Sequence, residues 1–493
     1  MDPGPCRVMY RHPGTVAEPA SRALWGPREP PTINDYVPGG RSQPVRASAT
    51  LALACLLVLA GCSYGYAGPA TTPGSASTST AVQTATGAAQ AGTPTETTTV
   101  TQTRPTPVTP STTSPTPTPR SPTPPSTSAE VGRIRVVGGT LPVDEERVYE
   151  RTLRLLDRDV DGPERIRIRN LSALSADGGQ QREFFRLMGL ERDARPNDTD
   201  VGVAAYVADP DEVNVNRRAV DAPTRLEHTL AHEYVHVVQF RTGAVTGARL
   251  ATDVTLDGRT AWRAAVEGAA TYVEDSYWRE YGRDGTRPVV SVRGLYANAS
   301  GSGRFAVAPY RFGADYAAER VDSPANLSVV YRDPPRTTEQ VLHPGTEEGA
   351  ANLSVAATDG DDWLAVPGER RLGELFVRVA LSTGVEADAA RRGADGWGTD
   401  RRLDFVGPDG REGYAWVLRW DDERNATEFA SVTTEWLDAR AERSGDGWRR
   451  DTATYRLQRV GDRTVVLYAG VAGFVRNASA SVRDGTVEVR PTG

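Results

Sequence analysis

From Ser63 to about Ser128 the chain is almost wholly Thr, Pro, Ser, Ala and Gly, and this run limits what can fold more than any other feature. Such a segment has too little apolar surface to offset the entropy lost on ordering it. Ser and Thr interleaved with Pro read as an extended, often O-glycosylated stalk: a spacer, not a domain. The 493 residues therefore divide into 1–62, the stalk 63–128, and a remainder long enough for a sizeable core.

Cysteine narrows that remainder. The three cysteines are Cys6, Cys55 and Cys62, so nothing beyond residue 62 can form a disulfide framework or supply a thiol to a metal or a nucleophilic site. Chemistry there must come from His, carboxylates, hydroxyls or backbone. Charge excludes another class. The chain carries −7; residues 1–128 hold five acids and eight Arg, which leaves −10 beyond them. That balance argues against a nucleic-acid footprint, which needs a basic stripe. Every cation is Arg, and acid excess without Lys suggests a GC-rich, salt-adapted source.

Residues 49–60 form an apolar run of signal-peptide length, too short to span a bilayer as a helix. It ends in Leu59, Ala60, Gly61 and Cys62, which resembles a lipobox, the cleavage site after which a new N-terminal Cys is lipidated. The expectation is export, a lipid anchor on Cys62 as the sole membrane attachment, and residence on the extracellular face of the cell membrane. No signal peptide needs the Pro-, Gly- and Arg-rich residues before this run, so translation is expected to start near Val45 and Arg46. Beyond the stalk seven of nine Asn sit in sequons: Asn170, Asn197, Asn298, Asn326, Asn352, Asn425 and Asn477. This enrichment marks them as expected glycosylation acceptors.

Periodicity predicts helices near 144–157 and 179–190, and strands at 165–169, 201–208 and 212–216. A long helix is expected over 224–241, with Thr224 and Glu227 as a capping box, and a second over 258–281. The strand 212–216 is the expected edge for pairing with an extended peptide. Residues 346–493 read as mixed, with helices near 371–383 and 422–441 and strands near 414–420, 453–459 and 463–469. The class is α+β: a domain over 129–345 with a small sheet and two long helices, and an α/β extension over 346–493.

The first long helix carries His232, Glu233, Tyr234, Val235 and His236. Positions four apart on a helix share a face about 6 Å apart along the axis, so one cation can bridge both imidazoles. Glu233 lies about 100° round from His232, flanking the cleft as a proton acceptor without being a ligand. A catalytic zinc site needs a third protein ligand and an open position for water, and His₂Glu is one such set. Glu267, on the second long helix, is the candidate. Glu274 lies on the same face seven residues on, and periodicity alone cannot choose between them. The neighbours favour Glu267, because Gly268, Ala269 and Ala270 permit close approach to the first helix, whereas Tyr277 and Trp278 follow Glu274. His228 continues the imidazole stripe but is too far along a straight helix to share the ion.

Three blocks now resemble the gluzincin metallopeptidases with a peptidase-MA-like core, and in particular haloarchaeal surface lipoproteins of that type. They are 230–239 (LAHEYVHVVQ), 266–272 (VEGAATY), and 309–313 (PYRFG) continuing to 334–344 (PPRTTEQVLHP). The resemblance covers about 200–345. It implies one zinc ion held by His232, His236 and Glu267, with Glu233 as base and a peptide or protein as substrate. Gluzincins often set a His or Tyr across the cleft to steady the oxyanion, which points to His343 and, more weakly, to Tyr310. The family's Asp four residues after the third ligand is absent, since Thr271 stands there, so support for the metal-bound His is unassigned. Two rival readings remain: a metallohydrolase acting on a non-peptide bond, and a surface binding or adhesion module that keeps the metal site without turnover.

Overall fold

The computed structural model describes residues 64–65, 133–171, 182–191, 202–368 and 370–492. The apolar run 49–60, Cys62, nearly all of the stalk and Asn197 lie outside the described residues. Among the described residues no helix is long and apolar enough to cross a membrane.

The first half is built on a four-stranded sheet. Its elements begin with β1 (Tyr64–Gly65), β2 (Arg135–Val137), α1 (Glu145–Leu156), β3 (Arg165–Arg169), α2 (Arg182–Leu187), β4 (Gly202–Val203), β5 (Ala205–Asp209) and β6 (Glu212–Asn216). The sheet order is β2-β3-β6-β5, parallel except for β5 against β6, while β1 pairs with β4. In β3 strict alternation buries Ile166 and Ile168 and turns three arginines outward. Arg165 and Arg167 both bond Glu212 on β6. Helix α1 is capped by Asp144, which accepts from the Arg147 amide, and it ends at Asp157 in the left-handed region. Its buried face, including Val148 and Tyr149, covers the sheet, with the Tyr149 ring edge-on to Tyr234.

One expectation fails here. Strand 212–216 is internal, flanked by β3 and β5, so its hydrogen-bonding groups are taken; the edge strands are β2 and β5. Adjacency in sequence to the helix that carries His232 and His236 does not make a strand an edge.

Seven helices complete this half: α3 (Pro223–Arg241), α4 (Ala244–Leu250), α5 (Leu256–Tyr281), α6 (Pro288–Asn298), α7 (Gly301–Arg320), α8 (Ser328–Arg332) and α9 (Thr338–Leu342). The expected capping box does not form. Pro223 opens α3 at N1, its fixed φ suiting that position and its missing N–H costing nothing there, so Thr224 falls inside the first turn. Glu227 instead accepts from Arg151 and from the Tyr277 hydroxyl. Helix α5 starts two residues earlier than expected, where Thr255 accepts from the Gly258 amide. Both long helices are buried on most of their faces, as befits central elements. Gly268 has another task than the one expected. A Cβ there would fall 2.1 Å from the Gly313 carbonyl carbon, and a Cβ on Gly313 2.1 Å from the Ala264 oxygen. The glycine pair lets α7 lie directly on α5. Helix α7 itself was hidden from periodicity by Gly301, Gly303 and the internal Pro309.

In the second half β7 (Ser354–Ala357), β8 (Leu364–Val366), α10 (Glu374–Leu381), α11 (Ala387–Arg392), β9 (Trp397–Val406), β10 (Glu412–Trp420), α12 (Glu423–Asp438), β11 (Glu442–Ser444), β12 (Gly447–Arg450), β13 (Ala453–Arg459), β14 (Thr464–Val471), α13 (Ala472–Asn477), β15 (Ala478–Arg483) and β16 (Thr486–Pro491) follow in turn. An antiparallel sheet runs β11-β12-β13-β14-β10-β9-β8, and β15-β16-β7 form a smaller one. Strand β10 is buried on both faces. Tyr414, Trp416, Leu418 and Trp420 enter one core with α10 and α12, while Ala415 and Val417 enter another with Phe474 and Val489.

The first of these cores crosses residue 345. Phe184 of α2 packs on Phe376, Tyr414 and Trp416, in one cluster with Val235 and Ala264. Buried carboxylates reinforce the junction. Asp257 of α5 accepts from the Thr338 amide and hydroxyl and from Arg371. Asp400 of β9 accepts from the Leu372 and Gly373 amides and from the indoles of Trp397 and Trp416. Each is fully enclosed, so these donors replace the water it loses.

Candidate metal centre

His232 and His236 project from one face of α3 with ring centroids 4.9 Å apart. Opposite them α5 brings Glu267, whose Oε2 is 3.6 Å from His232 Nε2 and 3.3 Å from His236 Nε2. These three atoms are buried, and none has a hydrogen-bond partner. One ligand atom from each residue lies within 4.8 Å of the others, so the group could hold a metal ion.

What the outer nitrogens do explains why. His232 Nδ1 is 3.2 Å from Glu274 Oε2, and a carboxylate can only accept, so Nδ1 carries the proton. His236 Nδ1 is 2.8 Å from Gln239 Oε1. The Gln239 amide nitrogen is committed to the Val266 carbonyl at 3.0 Å and the Tyr331 hydroxyl at 2.9 Å, which fixes its oxygen toward His236. Both imidazoles thus donate outward and turn an Nε2 lone pair inward, the tautomer a ligand needs. Three buried acceptors converging on one point call for a positive charge between them. The field shows the same demand. Burial opposes protonation of His232, yet the Glu267 and Glu274 carboxylates outweigh it and push its pKa up to about 10. His236 is raised too, its burial outweighed by the facing Glu267 carboxylate. Burial works against ionising Glu267, but the facing imidazoles hold its carboxyl far below the usual range.

Glu233 is fully buried beside this group. Helix α7 brings Tyr310, 4% exposed, whose ring stacks 6.1 Å from that of His232 at an interplanar angle of 24°. Thr271, where gluzincins carry an Asp, donates to the Glu267 backbone carbonyl instead. The carboxylate that meets the outer nitrogen of His232 is Glu274, one turn further on. His228 is buried against Tyr277 and outside the cluster.

His343 is not brought to this group. It caps the C-terminus of α9 and its Nε2 bonds Glu374 Oε1 at 2.9 Å, in a separate cluster with Asp395. Of the seven sequon residues, Asn170, Asn298, Asn326 and Asn352 are exposed, and Asn477 is half-buried. Asn425 is half-buried too, with its amide nitrogen donated to the Asp395 carbonyl. Sequence reasoning missed Gln239 and Tyr331; the only local signal was a Gln three residues after a candidate ligand, on the same helix face.

A family model described as a domain of unknown function (DUF8575) matches residues 364–478, which spans β8 to the start of β15 and omits the metal group. The chain matches no curated protein and no solved structure.

Proposed function

We propose that the protein is a zinc-dependent peptidase of the gluzincin type, exported and tethered through Cys62 to the outer face of the cell membrane. The observation that carries this reading is the convergence of His232 Nε2, His236 Nε2 and Glu267 Oε2, each buried and without a hydrogen-bond partner, beside Glu233. Two imidazoles and one carboxylate suit zinc better than a hard cation, which prefers all-oxygen shells. A mixed sheet whose antiparallel edge strand packs against the motif helix also favours this fold type.

An ion held by these three residues supplies Lewis acidity and brings the pKa of a water it carries towards roughly 7. Glu233 takes the proton of the attacking water and returns it to the leaving amine. Glu274 and Gln239 keep the two imidazoles in the ligating tautomer throughout. We assign the oxyanion role to Tyr310 over His343, because its ring lies against His232. An extended peptide would add to the edge strand β5.

One observation favours a second reading, a binding module with a structural metal. The three ligands and Glu233 are each at most 3% exposed, and structural sites are closed. Full-length protein purified in high salt, assayed for zinc by mass spectrometry and for hydrolysis of a fluorescent protein substrate, separates the two. The peptidase reading expects zinc together with hydrolysis that a chelator abolishes and zinc restores. Zinc without hydrolysis supports the binding module, and absence of zinc after reloading overturns both.

A further inference from the structure

We propose that His343, Glu374 and Asp395 form a second, structural site for a divalent transition metal, which clamps α9 of the first half to the start of α10 and to the turn before β9. One potential ligand atom from each of the three lies within 4.8 Å of the others, and the three come from separate segments. The acids alone would argue little. What points to a ligand is the state of their oxygens. The Glu374 side chain is wholly buried; its Oε1 meets His343 Nε2, but its enclosed Oε2 has no hydrogen-bond partner. Asp395 repeats the arrangement: Arg391 binds Oδ2 at 2.9 Å, while the buried Oδ1 has none. A buried carboxylate oxygen without a donor is costly, and a cation bound by these residues would relieve that cost.

The surroundings deepen the need. Glu339 and Asp421 add negative charge nearby, and Arg378, with the Arg391 already paired to Asp395, faces the cluster beside His343. One imidazole among carboxylates selects a borderline ion such as zinc over calcium or magnesium. The His343 side chain, 41% exposed, leaves a path for the ion and room for water to complete its shell. The site lies where Asp257, Thr338 and Arg371 already join the halves, so an ion here would lock that junction.

The test needs no activity and does not rest on the peptidase reading. Full-length wild type, Glu267→Gln, His343→Ala and Glu374→Gln proteins are stripped with chelator, dialysed against zinc and measured for metal per chain and for melting temperature. Wild type should hold two ions, and Glu267→Gln one, still raising its melting temperature. His343→Ala, at a half-exposed side chain, should also hold one, as should Glu374→Gln. Glu267→Gln combined with His343→Ala should hold none. A single ion in wild type that Glu267→Gln removes would overturn the second site, leaving His343 and Glu374 as an ion pair. So would zinc content unchanged by His343→Ala and by Glu374→Gln.

Discussion

Two regions of this molecule gather an imidazole and carboxylates, and they differ in what holds the imidazole. At α3 and α5 each His gives its Nδ1 proton to an outward partner, Glu274 or Gln239, and its Nε2 is left for a common centre. At the junction of the halves His343 spends Nε2 on Glu374 directly. The first arrangement is held from outside and nearly sealed; the second is half-open and held by its own members. The contrast teaches that the outer hydrogen bonds, rather than the count of ligand-type residues, separate a group whose imidazoles are oriented from outside from one whose members hold each other.

The largest effect should come from the residue proposed as the base. Glu233→Gln is expected to keep its zinc by elemental analysis and to lose hydrolysis by ~10²-fold or more, the usual scale for removing a general base. Unchanged turnover would remove Glu233 from the mechanism.

The next contrast lies along one helix face. Glu267→Gln should abolish most zinc binding at the α3 site, whereas Glu274→Gln should keep the ion with affinity or activity reduced about 10- to 100-fold. The reverse ranking would make Glu274 the ligand. Gln239→Leu extends the test to the other imidazole. With its acceptor gone, His236 loses its fixed tautomer, and competition with a chromogenic chelator should show zinc held roughly 10-fold more weakly. An unchanged affinity would mean that packing alone orients the ring.

The smallest effect belongs to a carboxylate that serves neither cluster. The Arg167 and Arg165 guanidiniums hold Glu212 down to about 2, below its ordinary 4.5, working against burial. A depressed carboxyl contributes stability that is whole above the unfolded value and disappears as pH falls through the folded one, so its window is about 4.5 down to 2. Because the arginines are well exposed, screening keeps the contribution small. Glu212→Gln should lower the melting temperature at neutral pH by only about 2 °C and leave zinc content untouched. A loss of metal here would show that the sheet and the centre are coupled.

Much of the first half was legible because its elements obey one period each. β3 alternates Ile with Arg, and α1 carries an acidic cap and an apolar stripe. Other elements hid for identifiable reasons. Helix α7 contains Pro309 and opens with glycines, which read locally as a break, yet contact between Gly268 and Gly313 holds it on α5. Strand β9, with Asp400, Arg401, Arg402 and Asp404, lacks a clean alternation, because Asp400 and Arg402 are buried and paired inside. The misplaced sheet edge has a similar cause. Order within a sheet depends on pairing between distant strands, which a local pattern does not record.

By itself, the sequence determined the Thr- and Pro-rich composition of residues 63–128, the absence of thiols beyond residue 62, and the placement of two imidazoles on one helical face with an acid between them in sequence. These follow from composition and from 3.6 residues per turn, and both are local properties. Tertiary structure decided everything that required two segments to meet. It brought Glu267 between His232 and His236, gave Glu274 and Gln239 the outer nitrogens, and laid Tyr310 against His232. It set His343 beside Glu374 in a cluster of its own. The physical reason is that spacing along one helix fixes which side chains share a face, while only packing fixes what that face meets.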